Sequence, residues 1–227
     1  MPMLSAVFRR AYALPALVAL VALMALSLLA ACSSAPVAPA ALYDFGLAPA
    51  ASAGARLPTA LRVADVAGPG WMDGNAIYYR LAYAQSQRTD VYANSRWVES
   101  PVSLFDARLR NAAAGRGQVI GYPTPEVPSL RVELVDFSQV FDRPDASRGV
   151  VRLRATVSLG RGVIDQRVVQ ADAPAPSADA AGGVAALTQA SDKAIGEVLD
   201  WVAGLPLTAS PSSAPARSAA ASGMPRR

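Results

Sequence analysis

From Leu130 to Asp172 the chain passes through three segments that alternate apolar and polar residues, and no other feature limits its possible folds so tightly. In GVVRLRATVSL (149–159), Val151, Leu153, Ala155, Val157 and Leu159 fall on one face, and Arg152, Arg154, Thr156 and Ser158 on the other. A period of two belongs to a strand with one buried face. LRVELVDFSQVF (130–141) precedes this segment and VIDQRVVQAD (163–172) follows it. The connectors, DRPDASR (142–148) and LGRG (159–162), carry the Pro, Asp and Gly that turns require. The expectation is three consecutive antiparallel strands.

Upstream, LRVADV (61–66), AIYYRLAY (76–83) and DVYANSRW (90–97) are rich in aromatic and β-branched residues and read as further strands. Two helices are expected beside them. In SPVSLFDARLRNAAAG (100–115), Ser100 is the candidate N-cap, Pro101 the first helical residue and Gly115 the stop, with Val102, Phe105, Leu109 and Ala113 on one face. GVAALTQASDKAIGEVLDWVAGLP (183–206) carries an apolar stripe of Val184, Leu187, Ala194, Val198 and Val202, ended by Gly204 and Pro206. Stripes of this kind pack on a sheet. The expected fold class is therefore α/β of the α+β layered kind: a mixed, largely antiparallel sheet with two main helices packed on it, in a single domain spanning 42–207.

The two ends differ from this core. Arg9 and Arg10 precede an apolar run over 11–31, broken only by Pro15 and Ser27, with no charged cluster after it. A basic start followed by an apolar stretch is the pattern of an export signal. The run ends Leu29-Ala30-Ala31-Cys32, which resembles a bacterial lipobox. On that reading residues 1–31 are a lipoprotein signal peptide. Cleavage leaves Cys32 as an acylated first residue bearing palmitate-type chains, and several chains on one residue make a stable membrane anchor. Ser33 is not the aspartate associated with inner-membrane retention, so the expected address is the outer membrane, facing the periplasm. Residues 32–41 read as the acylated cysteine with a flexible Pro/Ala linker, and 208–227 as a disordered Ala/Ser/Pro tail.

Composition narrows the chemistry. There is one cysteine, Cys32, and no histidine, so Cys–His and Ser–His–Asp catalysis lack their base, and a zinc site lacks its usual ligands. Lys193 is the single lysine and falls in a surface helix, a poor setting for a Ser–Lys pair. Basic residues number 21 against 17 acidic ones, and two of the 21, Arg9 and Arg10, belong to the leader. The balance does not point to nucleic acid. GRGQVIG (115–121) follows a helix rather than joining a strand to one, so it reads as a helix stop and not a phosphate loop. Asp142 and Asp145 lie in a hairpin turn without the further oxygens that calcium needs. No catalytic residue, metal or cofactor is expected. The row Arg148, Arg152, Arg154 and Arg161 is either a solvated strand face or a strip for an anionic contact. Trp71, Tyr78, Tyr79, Tyr83, Tyr92 and Trp97 make a heavy aromatic group, part of which suits an exposed contact surface.

Several stretches are familiar in their order: LYDFGL (42–47), GWMDGNAIYYR (70–80), VYANSRWVESPVSLFDARL (91–109), LRVELVDFSQVFD (130–142) and the late amphipathic helix. Together they resemble the ABC-type transport auxiliary lipoprotein family, including its PqiC-like members. The resemblance implies a non-enzymatic accessory of intermembrane lipid transport, anchored at the outer membrane. The implied partners are an MCE (mammalian-cell-entry) domain protein and an ABC transporter permease and ATPase, with phospholipid as cargo and a homo-oligomeric ring as a known assembly. It also marks Trp71, Tyr92, Arg96, Trp97 and Glu99 as partner-facing or domain-organising residues. Arg96 would pair with Glu99 or a partner carboxylate, and Trp97 would supply buried area. The alternative is that Arg96-Trp97 pins the helix 100–114 to the sheet. Members often carry a histidine just before the Arg-Trp; here Asn94-Ser95 stand there. Rival readings are an envelope scaffold or assembly lipoprotein, and a periplasmic carrier holding lipid in an apolar cavity without an ABC partner.

Overall fold

The computed structural model describes Met24, residues 39–48 and residues 54–207. The chain divides into two units, Met1–Pro39 and Ala40–Arg227, and the description below concerns the second. The expected signal peptide (1–31, apart from Met24), Cys32 and the expected C-terminal tail (208–227) lie outside the described residues.

Eight strands form one mixed sheet: β1 (Ala41–Tyr43), β2 (Leu61–Val63), β3 (Ala76–Leu81), β4 (Gln85–Trp97), β5 (Val119–Ile120), β6 (Ser129–Arg143), β7 (Ala146–Leu159) and β8 (Gly162–Pro174). Among residues 39–207, two α-helices accompany them, α1 (Pro101–Arg116) and α2 (Ala180–Ala203), with a 3₁₀ turn at Gly70–Met72. This is an α+β fold with an open sheet, as the alternation and the two apolar stripes imply. Its backbone is the β6–β7–β8 meander, antiparallel throughout. The free edge of β6 is shared. Its first residues pair in parallel with β2, and its last with β3. Beyond β2 lies β5, and beyond β3 lie β4 and then β1.

The parity of β6 changes halfway. Leu130, Val132 and Leu134 are buried, and after an irregularity between Leu134 and Asp136 the buried set becomes Phe137, Gln139 and Phe141. One extra residue in a strand turns every later side chain to the other face, so a bulge keeps both halves facing the core. Neither short β1 nor β5 has a sequence pattern long enough to reveal it. β1 begins at Ala41, the last residue assigned to the linker.

α1 is capped as its sequence implies: the Ser100 hydroxyl accepts the Ser103 N–H at 3.1 Å, and Pro101 opens the helix. It does not stop at Gly115. Arg116 is still helical because tertiary contacts hold it there: its guanidinium pairs with Asp200 at 2.5 Å and its carbonyl accepts the Leu57 N–H at 3.0 Å. α2 begins at Ala180, three residues before the expected start, because the Asp179 carboxylate caps the Gly182 N–H at 2.8 Å. Two glycines set how closely α2 sits. A Cβ at Gly149 of β7 would lie 2.4 Å from the Leu187 nitrogen, and one at Gly183 would lie 2.0 Å from Gln139 Oε1. The helix backbone rests directly on the sheet.

The two helices are tied by matched ion pairs. Arg108 grips Asp192 with two bonds of 2.7 and 2.8 Å, and Arg116 reaches Asp200. Each partner in the second pair lies eight residues beyond its counterpart in the first, so the helices run parallel. Both arginines are buried, at 7% and 4% exposure, beside the apolar stripe of Phe105, Leu109 and Ala113. A fork-shaped guanidinium satisfied by carboxylate is a cation the interior tolerates.

Candidate functional site

The stretches that carry the family resemblance meet around one side chain. Trp97, at the end of β4, is fully buried. Its ring meets Phe45 edge-on at 5.6 Å and Phe137 at 5.9 Å, while Phe45 and Phe137 stack at 6.0 Å. Phe45 belongs to LYDFGL and Phe137 to LRVELVDFSQVFD. The backbone closes the same knot: Trp97 N–H donates to the Asn75 carbonyl and Val98 N–H to that of Tyr43, each at 2.8 Å. β1 lies parallel to β4 here, with Tyr43 beside Trp97 and Leu42 beside Arg96. Trp97 is therefore a core side chain that joins the end of β4 to Phe45 and to Phe137 of β6.

Arg96 and Tyr92 also point inward in function. Opposite Ala76–Tyr78, β4 runs irregularly from Val91 to Arg96. The Arg96 guanidinium folds back over this segment and donates to the carbonyls of Tyr92 and Ser95. Glu99 is exposed, and among the described residues no ion pair joins it to Arg96, so of the two carboxylates expected for Arg96 the one within the chain is not engaged. Tyr92 is half-buried against Tyr79, with ring centres 4.8 Å apart, and Tyr79 meets Phe141. The Tyr92 hydroxyl donates to Gln139 Oε1 at 2.8 Å. Gln139, fully buried, donates in turn to Ser147 Oγ and to the Asp179 carbonyl. Burial, with smaller contributions from Tyr79 and Asp179, pushes the Tyr92 phenol up to about 12. This network ties β4, β6 and β7 to the start of α2. Nothing in the alternation of the sequence singles out Gln139, because a buried amide breaks the pattern that identifies a core.

What remains for contact is on the opposite face of the sheet. The pairing of Tyr79 with Gln139 puts Tyr79 on the helix side, and its neighbour Tyr78 on the other. Trp71 packs edge-on against Tyr78 at 4.8 Å, its carbonyl accepting the Tyr78 hydroxyl at 2.7 Å, yet 38% of Trp71 stays exposed. Val91, the strand partner of Tyr78, is exposed as well. Trp71, Tyr78 and Val91 thus form a small aromatic-apolar face that the helices leave uncovered. Of the five expected residues, Trp71 and Glu99 are exposed, Tyr92 and Arg96 are partly buried and internally engaged, and Trp97 is core. Tyr78 was legible only as part of the aromatic group, and Val91 not at all, since exposure follows from the strand pairing.

Two members of the arginine row are paired on a solvated strand face, Arg148 with Asp142 at 3.0 Å and Arg154 with Glu133 at 3.4 Å, while Arg161 stands apart on the β7–β8 turn. Asp145 pairs with Arg143 at 3.5 Å. Arg108 and Arg110 are raised by hydrogen bonds to Asp192 and Asp106.

A family model described as ABC-type transport auxiliary lipoprotein component matches residues 43–198. Among solved structures, a Xanthomonas campestris protein of the DUF330 family is similar, with a TM-score of 0.59 and 18% identity, covering 71% of this chain and 94% of its own. A second, described as an uncharacterized protein, has a TM-score of 0.56 and 15% identity, covering 72% of this chain and 99% of its own. At such identities the likeness concerns the fold. No curated protein matches the sequence.

Proposed function

This chain belongs to the family of ABC-type transport auxiliary lipoprotein components, and from that premise we propose that it is the outer-membrane-anchored, periplasm-facing accessory of an MCE-domain and ABC-transporter system that moves phospholipid between membranes. Its role is docking, not chemistry. The observation that carries this reading is the family match, which spans nearly the whole described domain. The arrangement of side chains supports it: the family-like residues build a rigid core around Trp97, and the sheet face away from the helices is left with Trp71, Tyr78 and Val91. Aromatic residues on a rigid platform are well suited to a protein partner. Cys32 tethers the domain, and the segment after it holds the platform off the bilayer.

The test is crosslinking in cells with the intact lipoprotein, followed by identification of captured proteins. An MCE-domain protein should be recovered from cells carrying the wild-type chain. Trp71→Ala should lower that recovery by about tenfold, the scale of an interface anchor, while leaving the melting temperature of the purified protein nearly unchanged. Capture of porins, cell-wall factors or the chain itself, with no MCE-domain protein, would replace the transport role with that of an envelope scaffold.

A further inference from the structure

On the sheet face away from the helices, a groove of about 440 Å³ opens between the loop 121–128 and the β7–β8 turn. Its floor is one row across three strands. Arg62 of β2 sits beside Ser129 of β6, and Ser129 sits opposite Ser158 of β7. The flanking residues Leu61, Val63, Leu130 and Val157 are buried, so the row itself faces outward. Thr124 and Pro125 form one wall and Arg161 the other. Gly160, at φ +60°, makes the tight turn that presents Arg161, and it brings the turn up to the Pro125 carbonyl.

The groove gathers two cations in a lining without acids, whereas other exposed arginines without an ion pair among the described residues, Arg56, Arg152 and Arg167, lie outside it. Arg80, Arg88, Arg131, Arg143, Arg148 and Arg154 each have a carboxylate within ion-pair distance. Among the described residues, Arg62 and Arg161 have none. The Arg62 Nη1 donates to Ser129 Oγ at 3.0 Å, but its Nε is buried without a hydrogen-bond partner among the described residues. A buried donor of a charged group left unpaired is costly, and the Nε of Arg80, outside the groove, is in the same position. Glu126, the one acid in the loop, is exposed and does not line the groove. Two guanidiniums and three hydroxyls therefore share one concave site with no carboxylate in its lining.

We propose that this groove binds an oxyanion of the phosphate class, held by Arg62 and Arg161 and by the hydroxyls of Thr124, Ser129 and Ser158. A phosphate group offers several acceptor oxygens in different directions, which suits donors arriving from a floor and two walls. The phosphate is either the diester of a lipid headgroup or a free phosphate ion. The inference stands on the donors of the groove and does not depend on the transport reading.

The experiment is calorimetric titration of the full-length lipoprotein in nonionic detergent with two water-soluble probes, inorganic phosphate and glycerophosphoglycerol. The wild-type chain should bind one of them, and Arg62→Gln and Arg161→Gln should each weaken that binding by about tenfold or more. Preference for glycerophosphoglycerol assigns a headgroup site, and preference for inorganic phosphate assigns a free-ion site. Arg161 is on an exposed turn, so its variant tests the site even if Arg62→Gln proves unfolded by thermal melting. Binding of neither probe, or equal binding by wild type and Arg161→Gln, overturns the proposal.

Discussion

At Tyr92 a phenol donates to a buried amide, a bond that exists only while the phenol keeps its proton. The ordinary tyrosine value is 10.0, and burial raises this one to about 12. The raised value means that the folded state favours the neutral phenol. Its contribution is complete below pH 10 and is lost as pH rises from 10 to 12. Tyr92→Phe removes the donor and leaves Gln139 Oε1 short of a partner, which should cost about 1–3 kcal/mol at pH 7. The difference in urea midpoint between wild type and variant should then shrink as pH climbs past 10. A gap that stays constant to pH 11.5 would show that the phenol proton is not part of the network. The sequence displayed Tyr92 as one aromatic among six, and nothing beside it in the chain announced Gln139 or Ser147. Arg108 and Arg116 were hidden in the same way, because their carboxylates stand 84 residues downstream.

Among the elements, β6 shows most clearly how local pattern and tertiary demand are joined. Its two buried runs are out of phase, and the irregularity at Val135 brings them into phase. Deleting Val135 should turn Phe137, Gln139 and Phe141 to solvent or force the first half outward. Loss of the Phe45–Trp97–Phe137 aromatic group alone is comparable to a large-to-small core substitution, about 3–5 kcal/mol. The deletion should therefore abolish cooperative unfolding, seen as a missing thermal transition. A variant that melts sharply near the wild-type temperature would show that the bulge does not set the register. The phase change is visible in LRVELVDFSQVF once it is sought, since the large apolar residues shift from even to odd positions. The helix boundaries were less legible. α1 runs past Gly115, and α2 starts early, because partners from elsewhere in the fold hold those turns.

For the whole molecule, the decisive residue lies outside the described domain. Cys32→Ala should remove the acylation site and release the protein from the membrane fraction into the periplasm, measured by fractionation and acyl-chain mass spectrometry. Continued outer-membrane fractionation of an unacylated variant would end the tether reading. The sequence by itself determined the layered class, the β6–β7–β8 meander and both helices, because alternation and apolar stripes act over neighbouring residues and need no partner to be read. It also carried the family, through motifs whose order is preserved along the chain. Only the tertiary structure decided what those motifs do. It brought Phe45, Trp97 and Phe137 into one core, turned Arg96 back onto its own strand, and placed Arg62, Ser129, Ser158 and Arg161 around one groove. Those contacts join residues far apart in sequence, and their geometry depends on strand register and helix docking, which no local pattern encodes.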